Sequence, residues 1–189
     1  MTNTETVSTA ESAEQDTVLQ QVEALLAPYR IALAADYFGY RNHVLRVIAL
    51  TEKMPEVHVT DRDLLIVAAV FHDLAIWVTG CGLDYLAPSA DLAGQWLAAH
   101  GPEAWRDDLR SMIVDHHKLT RSRGRLAEAF RKADLVDVSM GLLRCGLSWE
   151  DVAVIRARWP DAGFHRCLAR LTWQQCRKTP WRPAPMIRW

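Results

Sequence analysis

No stretch of this chain approaches the roughly 18 consecutive apolar residues of a membrane-spanning helix. The apolar run at residues 64–71, LLIVAAVF, holds eight. Residues 1–16, MTNTETVSTAESAEQD, lack the basic and apolar regions of a signal peptide, so none is predicted, and their polarity predicts a disordered segment. Neither charge sign dominates. The formal net charge is −1 with both signs interspersed, which provides no global basic field for nucleic acid. Four cysteines, Cys81, Cys145, Cys167 and Cys176, form no CxxC pair and no zinc-ribbon spacing. That pattern predicts scattered reduced thiols in a cytoplasmic protein. No segment alternates apolar and polar residues with a period of two, and no internal repeat is visible, so nothing argues for a sheet.

The chain is 189 residues long and 50% hydrophobic, enough for one domain with a substantial core. Helical spacing begins at Thr17 and returns in every long segment up to about Lys178. Val44, Val47, Ile48 and Thr51 fall at i, i+3, i+4 and i+7, and His43 shares that side with Val47. This helix should stop before Pro55. The next, residues 61–75, carries the apolar run and ends in His72 and Asp73; Thr60 with Asp63 has capping-box spacing. Ser89 is the expected N-cap of a helix running to about His100. In PEAWRDDLRSMIVDHHKL, Leu109, Met112, Ile113 and His116 share one face, with His117 beside it. Phe130, Asp134 and Asp137 lie near one another on the helix after the TRSRGR loop. Ser148 with Asp151 makes a further capping box, and the last helix spans about Phe164 to Lys178. The expectation is an all-α, compact single-domain bundle of seven or eight helices over residues 17–178. An extended tail rich in Pro, Trp and Arg follows at residues 179–189.

His43, the pair His72–Asp73 and Asp134 come from three different predicted helices. Two imidazoles and two carboxylates suit a borderline or hard divalent cation, and the carboxylates would neutralise its charge. Neighbouring residues on a helix diverge by about 100°. His72 and Asp73 can therefore grip one ion only off the helix edge, with His43 and Asp134 closing the far side. That leaves positions for water and substrate, as a catalytic site requires.

The order H…HD…D in YRNHVLRV, FHDLA and RKADLVD resembles the HD superfamily of metal-dependent phosphohydrolases. The PSADLA segment and the IVDHH run are similar to secondary features of that family. The resemblance covers about residues 36–140. It implies a helical bundle of the HD-domain type with His43, His72, Asp73 and Asp134 as metal ligands. Asp134 is preferred to Asp137 because the family motif places the acid after a small residue in a basic-flanked helix. The resemblance also implies that His116 or His117 faces the substrate or a second metal.

The function expected is a metal-dependent phosphohydrolase acting on a small phosphorylated molecule, such as a nucleotide, by attack of metal-activated water. Asp73 would orient that water, and His116 and His117 would hold phosphate or assist the leaving group. The expected substrate-binding cations are Arg41, Arg46, Lys118, Arg131 and Lys132, although for each one alone a solvated helix face is the commoner fate. The metal stays open among Mn, Fe, Co, Ni, Zn and Mg. Two alternatives stand beside this reading. One is an HD-fold di-iron oxygenase that recruits His100, His116 and His117 for a second iron. The other is a non-catalytic, metal-binding regulatory domain. Trp77, Trp96 and Trp105 are expected to pack in the core rather than line a pocket. His58 and His165 are read as structural or exposed. No membrane or strong nucleic-acid partner is expected; the Trp/Arg/Pro tail is the segment that could dock on a second copy.

Overall fold

The computed structural model describes residues 16–188, and they are mostly helical with no strand among them. The expected disorder of residues 1–16 lies outside the described residues except at Asp16, which is already helical. The helices are α1 (16–26), α2 (Arg30–Leu33), α3 (Tyr37–Glu52), α4 (Arg62–Phe71), α5 (Ala75–Val78), α6 (Leu86–His100), α7 (Arg106–Asp115), α8 (Arg125–Val138), α9 (Trp149–Arg158) and α10 (Phe164–Lys178). Leaving out the single turns α2 and α5, the number agrees with the seven or eight expected from the stop signals.

Helix α4 is the axis of the bundle. Every side chain from residue 64 to residue 71 is buried. A helix that is apolar all round must be covered all round, and α3, α6 and α7 pack against it. Helix α3 is nearly as enclosed and lies along α8. The site residues come from these central helices and from the turn after α4.

Two helix starts differ from expectation. The Thr60–Asp63 box does not form. Instead a 3₁₀ turn, Val59–Asp61, precedes α4, and Asp61 accepts from the His58 backbone N–H at 2.8 Å. Helix α6 begins at Leu86, so Ser89 lies within its first turns. Its buried hydroxyl accepts from the Ala75 backbone N–H at 3.3 Å, which ties α6 to α5. The tertiary partner took the serine from its capping role. Ser148 does cap α9, accepting from Asp151 N–H at 2.9 Å. Residues 179–188 are not extended. They fold into turns, with Arg182 N–H on Thr179 O and Ile187 N–H on Ala184 O.

Gly39 allows a close approach of backbone to backbone. A Cβ there would stand 3.1 Å from both Ala162 O and Phe164 N. The missing side chain lets the loop before α10 press onto α3. This contact stacks Phe164 on the His43 ring, with centroids 3.9 Å apart.

Candidate metal centre

Helix α4 ends at Phe71, and His72–Asp73–Leu74 form the turn that leads into α5. The His72 side chain folds back so that Nδ1 lies 2.7 Å from Ala69 O. A carbonyl only accepts, so Nδ1 carries the proton and Nε2 is a lone pair. His116, at the C-terminal end of α7, repeats the arrangement with Nδ1 2.6 Å from Ile113 O. His43, in the middle of α3, places Nδ1 2.7 Å from Asp137 Oδ2. Asp137 is ionised, since burial would raise its pKa but His43 and Arg46 hold it well below the carboxylate range. It therefore accepts from the His43 Nδ1–H, which turns Nε2 of that ring inward.

Three Nε2 atoms thus face inward, on rings that are at most 2% exposed. Burial lowers the pKa of His116, but its contact with Asp73 and the charges of Asp73 and Asp134 raise it on balance. The Nε2 atoms of His43 and His72 stand 3.0 Å apart, a spacing that two neutral lone pairs hold only with a positive charge between or beside them. Asp73 Oδ2 is 3.7 Å from His43 Nε2 and 3.5 Å from His72 Nε2. Asp134 Oδ1 is 3.6 and 3.8 Å from the same two atoms. Ligands on a cation of about 2.1 Å bond length stand about 3–3.5 Å apart, close to the spacing found here.

The buried polar atoms without a hydrogen-bond partner include Asp73 Oδ1, Asp134 Oδ1 and His116 Nε2. Such atoms are costly unless something compensates them. A proton on His116 would pair it with Asp73 Oδ1, 3.3 Å away. A divalent cation would satisfy Asp134 Oδ1 and the His43–His72 contact together. Burial drives the pKa of His72 down to about 3, so its ring is neutral and free to ligate. Burial also pushes Asp134 up, against the opposing charges of His116 and His43. The donor set fits a divalent cation, and His43, His72, Asp73 and Asp134 converge as the residues that would hold it. The buried groupings able to hold an ion also include His72–Asp73–His116 and His116–His117–Asp134.

The two carboxylates each look both ways. Their other oxygens point toward the α7 histidines, Asp73 Oδ1 toward His116 and Asp134 Oδ2 toward His117 Nδ1 at 3.7 Å. His117 Nε2 lies 2.7 Å from the Tyr85 hydroxyl. Burial, then Asp73 and Asp134, raise Tyr85 far above its ordinary range, so it keeps its proton. When that proton is given to Asp73, the phenol oxygen accepts from His117 Nε2–H and leaves Nδ1 a lone pair on the Asp134 side. Phe130 sets an edge against the His72 ring, with centroids 5.4 Å apart, and closes the apolar side.

The expected cations separate. Lys118 and Arg131 line a cavity of about 210 Å³ beside His116, His117 and Asp134. Arg131 is clamped by Glu128 at 2.8 Å through two nitrogens, and Lys118 forms no ion pair among the described residues. The structure corrects Arg46, which is 1% exposed. It donates to both oxygens of Asp137 at 2.5 and 2.9 Å and to the Trp159 carbonyl, so it is not a substrate cation. Arg41 is also turned away, onto Glu23 and Asn42, and Lys132 pairs with Glu56 at 3.4 Å.

Sequence reasoning missed Asp137 as a positioning group, along with Tyr85 and Phe164. Only Asp137, three residues beyond Asp134 on the same helix, carried a signal; Tyr85 and Phe164 arrive from segments with no motif. His100 leaves the cluster. It is exposed at the end of α6, stacked on Trp96, and both line a different cavity of about 350 Å³ with Trp105. Trp96 and Trp105 therefore line a pocket as well as packing on the core, whereas Trp77 packs and donates to Asp36 at 3.1 Å. No family model, curated protein or solved structure matches the chain.

Proposed function

We propose that this chain is a metal-dependent phosphohydrolase of the HD type, acting on a small phosphorylated molecule. The observation that carries the reading is the convergence of three oriented imidazole Nε2 atoms on two buried carboxylates, each with one oxygen that lacks a partner. A divalent ion held there would lower the pKa of bound water and polarise a phosphoryl oxygen. The chain's own residues supply the rest. Lys118 offers a free ammonium to phosphate oxygens at the cavity wall, and Arg131 adds positive charge behind it. Asp73 would orient a nucleophile, and His117, anchored by the Tyr85 hydroxyl, would hold a water or a substrate hydroxyl through its Nδ1 lone pair.

Elemental analysis of protein purified without added metal or chelator, beside His72→Ala, tests the centre. About one ion per chain, lost in the variant, supports the reading; no metal in either protein after reloading defeats it. A phosphate-release screen with Asp73→Ala as the inactive control tests the chemistry. One observation favours a second reading, a two-iron oxygenase. Asp134 Oδ2 and the histidines of α7 form a second ligand grouping that shares Asp134 with the first. About two irons per chain, with oxygen uptake on adding substrate, would select it.

A further inference from the structure

One wall of the cavity beside His117 comes from far along the chain: it is Ile187, from the segment after α10. That segment turns back on itself and returns to the loop after α7. There Leu119 N–H donates to Arg188 O at 2.8 Å, Arg188 N–H points to His117 O at 3.5 Å, and Lys118 pairs with Arg188 in a one-residue parallel bridge. Met186 packs on the group formed by Ala75, Ile76, Leu83, Tyr85 and Leu86. Tyr85 in turn bonds His117. The segment therefore meets the histidine from both sides. Pro180, Pro183 and Pro185 restrict its backbone, so it is stiff between its attachments.

Those attachments are slight. Two backbone hydrogen bonds hold the end, Ile187 is 45% exposed, and the Arg182–Asp84 pair spans 3.7 Å between two exposed side chains. Segments held this way open locally at low cost. We propose that residues 184–188 are a strap across the mouth of the cavity: it leaves the His117 side chain only 21% exposed and Asp134 buried, and lifting it opens the way for a reagent or substrate to both. As a gate for substrate the strap rests on the hydrolase reading; as a cover over His117 it does not.

The test therefore uses neither metal nor turnover. Diethyl pyrocarbonate modifies accessible imidazoles, and peptide mass spectrometry reads each histidine separately. Three proteins are compared in chelator: the full chain, a chain ending at Pro183, and the full chain carrying Lys118→Cys with Arg188→Cys. The exposed His58 and His100 serve as internal standards. His117 is expected to react roughly tenfold or more faster in the shortened chain, because the covering segment no longer has to open. It should react more slowly in the oxidised cysteine pair than after reduction. Equal rates at His117 in all three would overturn the proposal, as would failure of the pair to oxidise, since residues 118 and 188 would then not be neighbours. If shortening the chain unfolds it, the buried His43 and His72 react together with His117, and the oxidised and reduced forms of the pair decide. A strap found this way in a protein that releases no phosphate would defeat the hydrolase reading and leave the cover standing.

Discussion

Asp137 shows how much rests on one carboxylate. It is fully buried, accepts from both His43 and Arg46, and has no exposed face. Asp137→Asn would leave the Arg46 charge buried without its partner, a loss of about 3–5 kcal/mol in unfolding free energy measured by denaturant titration. It would also release the His43 ring. Metal affinity should fall about 10–100-fold, as when an outer partner of a ligating histidine is lost. Isothermal titration with a divalent cation reads this separately. Unchanged affinity in a folded variant would remove the positioning role assigned to Asp137.

Contacts between elements have their own weak points. Gly39→Ala places a methyl 3.1 Å from two backbone atoms of the loop before α10. Backbone atoms yield poorly, so the expected cost is about 1–3 kcal/mol. The loop should move, loosening the Phe164–His43 stack and the bond from Asn42 Nδ2 to Pro160 O. A fluorescence-monitored urea titration checks the stability, and a wild-type midpoint would contradict the close approach.

Asp36 ties three elements. It accepts from Trp77 of α5 and from Cys167 and Arg170 of α10. Burial raises its pKa, but these donors outweigh it and the net shift is downward. A lowered carboxylate pKa stabilises the fold above the unfolded value, and that gain is lost as pH falls through the folded value. Asp36→Asn should therefore cost about 1–3 kcal/mol near pH 7. The gap to wild type should close as pH drops below about 4. A gap that persists at low pH would show that the ionised form is not what matters. In the same cluster, burial and Asp36 push the Cys167 thiol up to about 11. Cys167 should be alkylated far more slowly at neutral pH than an unperturbed thiol.

At the scale of the whole molecule, a cation bound between α3, α8 and the turn after α4 would link elements far apart in sequence. Binding only to the folded state adds about 2.7 kcal/mol at a hundredfold excess over Kd. Calorimetry should show the Tm rising by several degrees with a divalent ion and falling with chelator. His72→Ala should show neither response.

The helical class and the buried α4 were legible because they are written locally, and His43, His72, Asp73 and Asp134 were singled out by their ligand chemistry and the H…HD…D resemblance. Eight apolar residues in a row need covering on every side, and His72–Asp73 sits next to that run. Ser89 and Arg46 were not legible, because each has a reasonable local role that a distant partner overrides. Ser89 reaches Ala75 and Arg46 reaches Asp137. The sequence by itself determined which chemical groups are available and that helices carry them, because periodicity and composition act over a few residues. Only the tertiary structure decided which Nε2 atoms meet, which carboxylate orients His43, and that residues 184–188 return across the cavity. Those outcomes depend on packing between segments as much as 94 positions apart, as for His43 and Asp137, and no local pattern encodes that distance.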